Sequence, residues 1–207
     1  KAGNTSSTYY LYLDTSKPTG TIKNSSGTAI SGYTNGAFSY TATDTGSGVS
    51  YLQYKTPGSS SWTTYSSGTT ISASATNGLY QFRAVDNAGN TSAVSSIYLD
   101  TAIPTGKITD SNGTTVTTTT NKAFKYTASD GLSGIAYMQY KKPNSTVWET
   151  YAAGTLIQTT DTNGIYRFRA FDNAGNESET VMICLDTVKP TGTLYGGTST
   201  VASGGKT

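Results

Sequence analysis

Residues 14–99 and 100–185 align over 86 positions without an insertion or deletion, and 46 of those positions are identical. Asp14 recurs as Asp100 and again as Asp186, Phe38 as Phe124, Asp44 as Asp130, Trp62 as Trp148 and Tyr80 as Tyr166. The run Phe82–Asn90, FRAVDNAGN, returns as Phe168–Asn176, FRAFDNAGN. Solenoid units repeat at about 20–50 residues. A unit of this length is instead the size of a small domain with its own core. The chain therefore reads as a string of near-identical modules, and the residues that recur belong to something every module needs.

The register runs past both complete copies. Ala2-Gly3-Asn4 and Tyr12-Leu13 match Ala88-Gly89-Asn90 and Tyr98-Leu99, so residues 1–13 read as the tail of a preceding repeat. Asp186-Thr187 and Pro190-Thr191-Gly192 restart the pattern, with Leu194 where Ile22 and Ile108 fall, so residues 186–207 read as the start of a following one. The expected organisation is a repeat over 14–99, a repeat over 100–185, and a fragment at each side. No targeting signal is expected within this window.

Charged residues are sparse, 13% of the chain with a net charge of +2, which gives no footprint for nucleic acid or an anionic membrane surface. No apolar run approaches the roughly 20 residues that span a bilayer as a helix. The mix of Thr, Ser, Gly and Tyr with no His suits a secreted or surface-exposed β protein. Cys184 stands alone, where the other copies carry Tyr12 and Tyr98, and reads as a strand residue in a tyrosine's place. Stability is thus expected from the sheets and not from cross-links.

Period-2 alternation dominates and helical periodicity is absent. Ala37–Ala42 alternates, as does Leu79–Val85 with Tyr80, Phe82 and Ala84 on one side. Gly48–Tyr54 is expected to place Val49, Tyr51 and Gln53 on one face and Ser50, Leu52 and Tyr54 on the other. Turn signals intervene at Asn24–Gly27, Asp44–Gly48, Pro57-Gly58, Asn77-Gly78 and Asn87–Asn90. Seven strands are predicted, over 20–24, 28–33, 37–43, 48–55, 60–65, 69–75 and 79–86, followed by a last long one over 91–99. Short strands at this spacing argue for a sandwich.

One motif narrows the fold. Immunoglobulin-like domains carry a Tyr near the start of strand F, two residues before a core cysteine. Asn77-Gly78-Leu79-Tyr80-Gln81-Phe82 has that spacing with Phe82 in the cysteine's place, and Asn163–Phe168 repeats it. Phe38 or Tyr40 is expected opposite, an aromatic pair where a disulfide is absent. With the linker DTSKPTG (Asp14–Gly20), the run SGVSYLQY (Ser47–Tyr54), Trp62 and Tyr65, and GLYQFRAVDNAGN (Gly78–Asn90), the chain resembles bacterial immunoglobulin-like repeat domains of extracellular and cell-surface proteins. The resemblance implies an all-β fold of two tandem immunoglobulin-like β-sandwiches, about seven strands each, in an elongated array. It also implies an extracellular setting, in adhesins, stalks or accessory regions of secreted carbohydrate-active enzymes.

Catalysis is not expected. Without His there is no Ser-His or Cys-His nucleophile system. The few glutamates (Glu149, Glu177, Glu179) occur in one copy only, and nothing sets up a carboxylate pair for glycoside hydrolysis. The recurring acids are Asp14, Asp44 and Asp86, repeated as Asp100, Asp130 and Asp172. In an immunoglobulin topology strands B and F run the same way in opposite sheets, so the loops that follow them share one end of the sandwich. Strand A begins at that end too. Each trio is therefore expected to converge at a module junction and to offer oxygen ligands of the kind Ca²⁺ takes. Such a site resembles the junction sites of cadherin-type repeats. The alternative is that these residues cap tight turns through neighbouring amides.

Trp62 and Tyr65, with Trp148 and Tyr151, form a second candidate, an aromatic surface for a sugar or protein ligand; the alternative is that they pack within the sandwich. The linker Leu-Asp-Thr-x-x-Pro-Thr-Gly occurs as Leu13–Gly20, Leu99–Gly106 and Leu185–Gly192. Its proline fixes an extended joint, unlike a Gly/Ser tether. The expected role is a semi-rigid stalk or adhesive repeat region whose partners are neighbouring repeats and a host or cell-surface protein or glycan. The other reading is a carbohydrate-binding or accessory module beside a catalytic domain.

Overall fold

In the computed structural model, which describes residues 2–192, alternating segments become strands joined by turns, with no helix among the described residues. The first copy supplies β1 (Thr19–Asn24), β2 (Gly32–Thr34), β3 (Phe38–Thr43), β4 (Val49–Lys55), β5 (Thr63–Tyr65), β6 (Gly78–Asp86) and β7 (Ser95–Leu99). The second supplies β8 (Thr105–Asp110), β9 (Thr119–Thr120), β10 (Phe124–Ser129), β11 (Ile135–Lys141), β12 (Glu149–Tyr151), β13 (Gly164–Asp172) and β14 (Val181–Leu185). Each copy is a sandwich. The sheet β1-β3 faces β2-β7-β6-β4-β5, and β8-β10 faces β12-β11-β13-β14-β9. Pairings are antiparallel except β2 with β7 and β9 with β14. The fold class is all-β, two immunoglobulin-like sandwiches in tandem.

The core lies between the sheets and is aromatic. Phe82 on β6 stacks on Tyr40 of β3 at 5.0 Å and meets Phe38 edge-on at 6.2 Å, so both strand-B candidates contact it. Phe168 repeats this with Tyr126 at 5.1 Å and Phe124 at 6.3 Å. Pairs of this geometry add about 0.5–1.5 kcal/mol beyond their area burial. The strand-F tyrosines make the corner their spacing suggests. Tyr80 Oη donates to Thr76 O at 3.0 Å and Tyr166 Oη to Thr162 O at 2.9 Å, tying each incoming turn to its strand. Room for the core is made by Gly20 and Gly106, where a Cβ would overlap the Tyr40 or Tyr126 ring.

Four local expectations are corrected. Residues 28–31 form no ladder beyond a bridge from Ala29 to Lys23, and the edge strand lies at β2. Residues 69–75 touch the small sheet only through paired bonds between Ile71 and Phe38, because the segment is a chain of turns around Gly68 at φ 72°. The last strand starts at Ser95, not 91. Ser92 instead folds against β6, its amide donating to Ala84 O and its hydroxyl accepting from Ala84 N, both at 2.9 Å. Val49 and Tyr51 also leave their common face. The register shifts between them, a bulge that turns Val49 against the core and leaves Tyr51 46% exposed.

Candidate functional site

The three recurring aspartates of each copy do converge. In both trios, one oxygen from each carboxylate lies within 4.8 Å of the other two. Three elements deliver them: the stretch entering β1 or β8 brings Asp14 or Asp100, the end of β3 or β10 brings Asp44 or Asp130, and the end of β6 or β13 brings Asp86 or Asp172. The loops that follow are short and turn back through amides that face the acids.

In the first trio Asp14 accepts from the amides of Ser16 at 2.9 Å and Ser47 at 2.6 Å. Asp44 Oδ2 accepts from Gly46 N at 3.0 Å and Gly48 N at 2.9 Å, while its Oδ1 is buried without a partner. Asp86 accepts from the Asn90 amide at 2.7 Å and from Asn90 Nδ2 at 2.9 Å. Asn90 Nδ2 also donates to Asp14 O at 3.0 Å, so this side chain braces two of the acids and does not present an oxygen to them. Asn87 likewise donates, to Ser47 O at 2.8 Å.

The second trio repeats the plan with a changed loop, Gly131-Leu132 in place of Thr45-Gly46. Asp130 Oδ1 collects the amides of Leu132, Ser133 and Gly134 at 2.9–3.1 Å. Ser133 N is shared with Asp100 Oδ2 at 3.0 Å. Asn176 braces Asp172 at 2.7 Å and Asp100 O at 2.9 Å.

The expected caps and the expected convergence are therefore both present. The caps set the charges. The Ser47 hydroxyl and amide, then the Ser16 amide, hold the Asp14 carboxyl below its ordinary value of 3.8. Burial pushes Asp130 upward, but the amides of Gly134, Leu132 and Ser133 outweigh it and leave that carboxyl below 3.8. None of these carboxylates is in an ion pair among the described residues; the two ion pairs there, Lys142–Glu149 and Arg169–Glu177, lie elsewhere. An all-oxygen donor set with a buried orphan at Asp44 Oδ1 fits a hard cation such as Ca²⁺, which takes 6–8 oxygens. Asp14, Asp44 and Asp86, or Asp100, Asp130 and Asp172, would hold it.

The second trio is also the seam between modules. Asp100 N donates to Thr34 O of the first sandwich at 2.9 Å, and the Asp100 side chain accepts from Ser133 of the second. Asn77 Oδ1, in the turn before β6, accepts from the amide and hydroxyl of Thr101 at 3.2 and 3.1 Å. Asp100 is fully buried, and Pro104 of the same linker is buried too. The other members of the series differ. Asp14, preceded by exposed coil, is half-buried and opens on a cleft of about 670 Å³ lined by Tyr12, Leu13 and Ala88 among others. Asp186 is exposed. Leu194, the marker of a further repeat, lies outside the described residues.

The aromatic candidate divides. Tyr65 and Tyr151 are 5% and 3% exposed, so the expected ligand surface is corrected at these two positions. Each packs edge-on against Phe82 or Phe168. Their hydroxyls accept from Tyr40 N or Tyr126 N at 3.0 Å and donate to Thr69 O or Thr155 O. Trp62 and Trp148 do lie on the outer sheet face, but cations cover them. Arg83 sits 4.4 Å and Lys55 4.9 Å from the Trp62 centroid, and Arg169 and Lys141 sit at 4.2 and 4.9 Å from Trp148. The signal for this was the recurrence of Lys55 as Lys141 and Arg83 as Arg169. Sequence reasoning also missed the stacked pair Tyr33–Tyr98 at 5.3 Å, which has no equivalent where the second copy carries Thr119 and Cys184.

No protein-family model matches the chain, and no curated protein matches it. Among solved structures it is similar to the fibronectin(III)-like modules of Clostridium thermocellum CbhA, with 18% identity and a TM-score of 0.38, over 79% of this chain and 92% of that one.

Proposed function

We propose that the chain is part of a tandem array of immunoglobulin-like modules that serves as a semi-rigid stalk or interaction region of a bacterial extracellular or cell-surface protein. In this reading residues 1–13 are the tail of one repeat and 186–207 the start of another, flanking repeats at 14–99 and 100–185. The role is mechanical and not catalytic. The observation that carries it is the seam at Asp100, where one fully buried residue is bonded to both sandwiches within a proline-fixed joint. Calcium held by Asp100, Asp130 and Asp172, and by Asp14, Asp44 and Asp86 where a folded repeat precedes them, would neutralise the clustered carboxylates and stiffen each seam. Neighbouring repeats are then the first partners of each module, and the outer sheet faces are left for a cell-surface protein or glycan. A sugar platform of the usual kind needs an open ring face, and the cations over Trp62 and Trp148 leave that reading without a specific support.

Small-angle scattering on the whole chain tests this. An end-to-end pair of sandwiches, with a maximum dimension insensitive to ionic strength and unchanged or longer in millimolar Ca²⁺, is expected. A folded-back pair, with sheets stacked side by side, would overturn it.

A further inference from the structure

The outer face of the second large sheet departs from the first along one rim, and the changes share a chemistry. Lys141 on β11 lies directly across from Arg167 on β13, whereas in the first copy Lys55 faces the neutral Gln81. Like charges placed opposite each other destabilise a sheet. Neither cation is in an ion pair among the described residues; Lys141 rests over the Trp148 ring at 4.9 Å, and Glu149 and Glu177 pair with Lys142 and Arg169. Arg167 forms one wall of a groove of about 490 Å³, with Asn144, Thr146 and Ile165 on the others. Asn144 sits at φ 63°, the one non-glycine with positive φ among the described residues, where the first copy has Gly58. Around the groove the second copy has exchanged serine for exposed aliphatic side chains. Val147 replaces Ser61 and Met182 replaces Ser96, at 63% and 52% exposure, and Ile165 is 45% exposed.

We propose that this rim, built from Arg167, Lys141, Ile165 and Met182, binds an extended acidic peptide segment, carboxylates on the two cations and aliphatic side chains on Ile165 and Met182. Charge complementarity selects the carboxylate, because these two adjacent cations have no acidic partner among the described residues and gain from an anion that a ligand brings. The aliphatic flanks select a peptide over an acidic polysaccharide, whose rings would call for open aromatic faces or a fan of amide and carboxylate acceptors. The first copy keeps Lys55 and Leu79 at the positions of Lys141 and Ile165, but with Gln81, Ser61 and Ser96 it lacks the second cation and the flanking aliphatic side chains.

The test is an amide NMR titration of the whole chain with a capped peptide alternating Leu and Glu, its Leu/Gln counterpart, and a galacturonic acid oligomer. The Leu/Glu peptide should shift the amides of residues 141, 142, 144–147, 165–167 and 182 and leave 79–81 unmoved. Arg167→Gln should weaken it about tenfold or more, the effect of losing a charge-assisted hydrogen bond. The Leu/Gln peptide should not bind, and Gln81→Arg should not by itself create a site in the first copy. The unperturbed remainder of each spectrum reports that the variant is folded. Equal shifts in both copies, affinity unchanged by Arg167→Gln, no shift at millimolar peptide, or tighter binding of the galacturonic acid oligomer would each overturn the proposal.

Discussion

Tyr40 and Tyr65 meet edge to face in one core, yet their hydroxyls end differently. The Tyr65 hydroxyl takes one backbone amide and gives to one carbonyl, while the Tyr40 hydroxyl is buried with no partner, as is that of Tyr126. Losing a satisfied buried hydroxyl strands its partners, whereas losing an orphan strands nothing. Tyr65→Phe and Tyr151→Phe should therefore each cost about 1–3 kcal/mol, and Tyr126→Phe should be neutral or stabilising, measured by urea unfolding. Tyr80→Phe, which opens the corner to Thr76, belongs with the costly pair. Gly106→Ala should cost about 1–3 kcal/mol by overpacking, because its Cβ would fall on the Tyr126 ring. Recurrence alone could not distinguish these tyrosines. Tyr65 recurs as faithfully as Trp62, but one is core and the other lies on the face, since a repeat preserves both kinds of position equally.

Strands β3, β6 and β10, β13 were legible because their alternation is uninterrupted and their apolar side faces a single core. The segments that misled are those whose backbone bonds leave the ladder. Residues 69–75 have strand-forming Thr and Ile but follow a turn at Gly68 and turn again over Ser72–Ala75, and 91–94 are held by the Ser92 side chain. The bulge at Val49 follows Gly48 at φ 80° and resets the alternation by one residue, which a period-2 reading cannot register. The turn between β11 and β12 carries a test. Asn144 holds a left-handed conformation that glycine adopts without strain, as Gly58 does at φ 77° in the first copy. Asn144→Gly should leave stability within about 0.5 kcal/mol or raise it, and Asn144→Val should lower it by about 1–3 kcal/mol, read from thermal melts. The same exchanges would show whether that turn shapes the groove at Arg167.

Across the molecule, the seam was the most legible of the candidate features, because strand direction alone brings the loops after β3 and β6 to the end where β1 begins. The covering of Trp62 and Trp148 was not, because it depends on where two long cations settle. One aspartate of each trio also contributes to the response to acid. Asp14 and Asp130 titrate below 3.8 when folded, so their contribution is fully present above that pH and is lost as pH falls through their folded values. Stability should be flat from neutral pH down to about 4 and drop below it, and Asp130→Asn should flatten that drop. Asp100→Asn should loosen the seam without unfolding either sandwich, visible as a broader distribution of inter-module distances between spin labels.

The most direct measurement is the thermal unfolding of the whole chain in excess EGTA and in millimolar Ca²⁺. A ligand at a hundredfold excess over its Kd adds about 2.7 kcal/mol, and 1 kcal/mol moves Tm by about 4–8 °C in a domain of this size. A rise of several degrees in Ca²⁺, reduced by Asp130→Asn with Asp172→Asn and abolished when Asp44→Asn is added, is the predicted result. Superimposable melting curves in EGTA and Ca²⁺ would contradict a cation-stiffened seam.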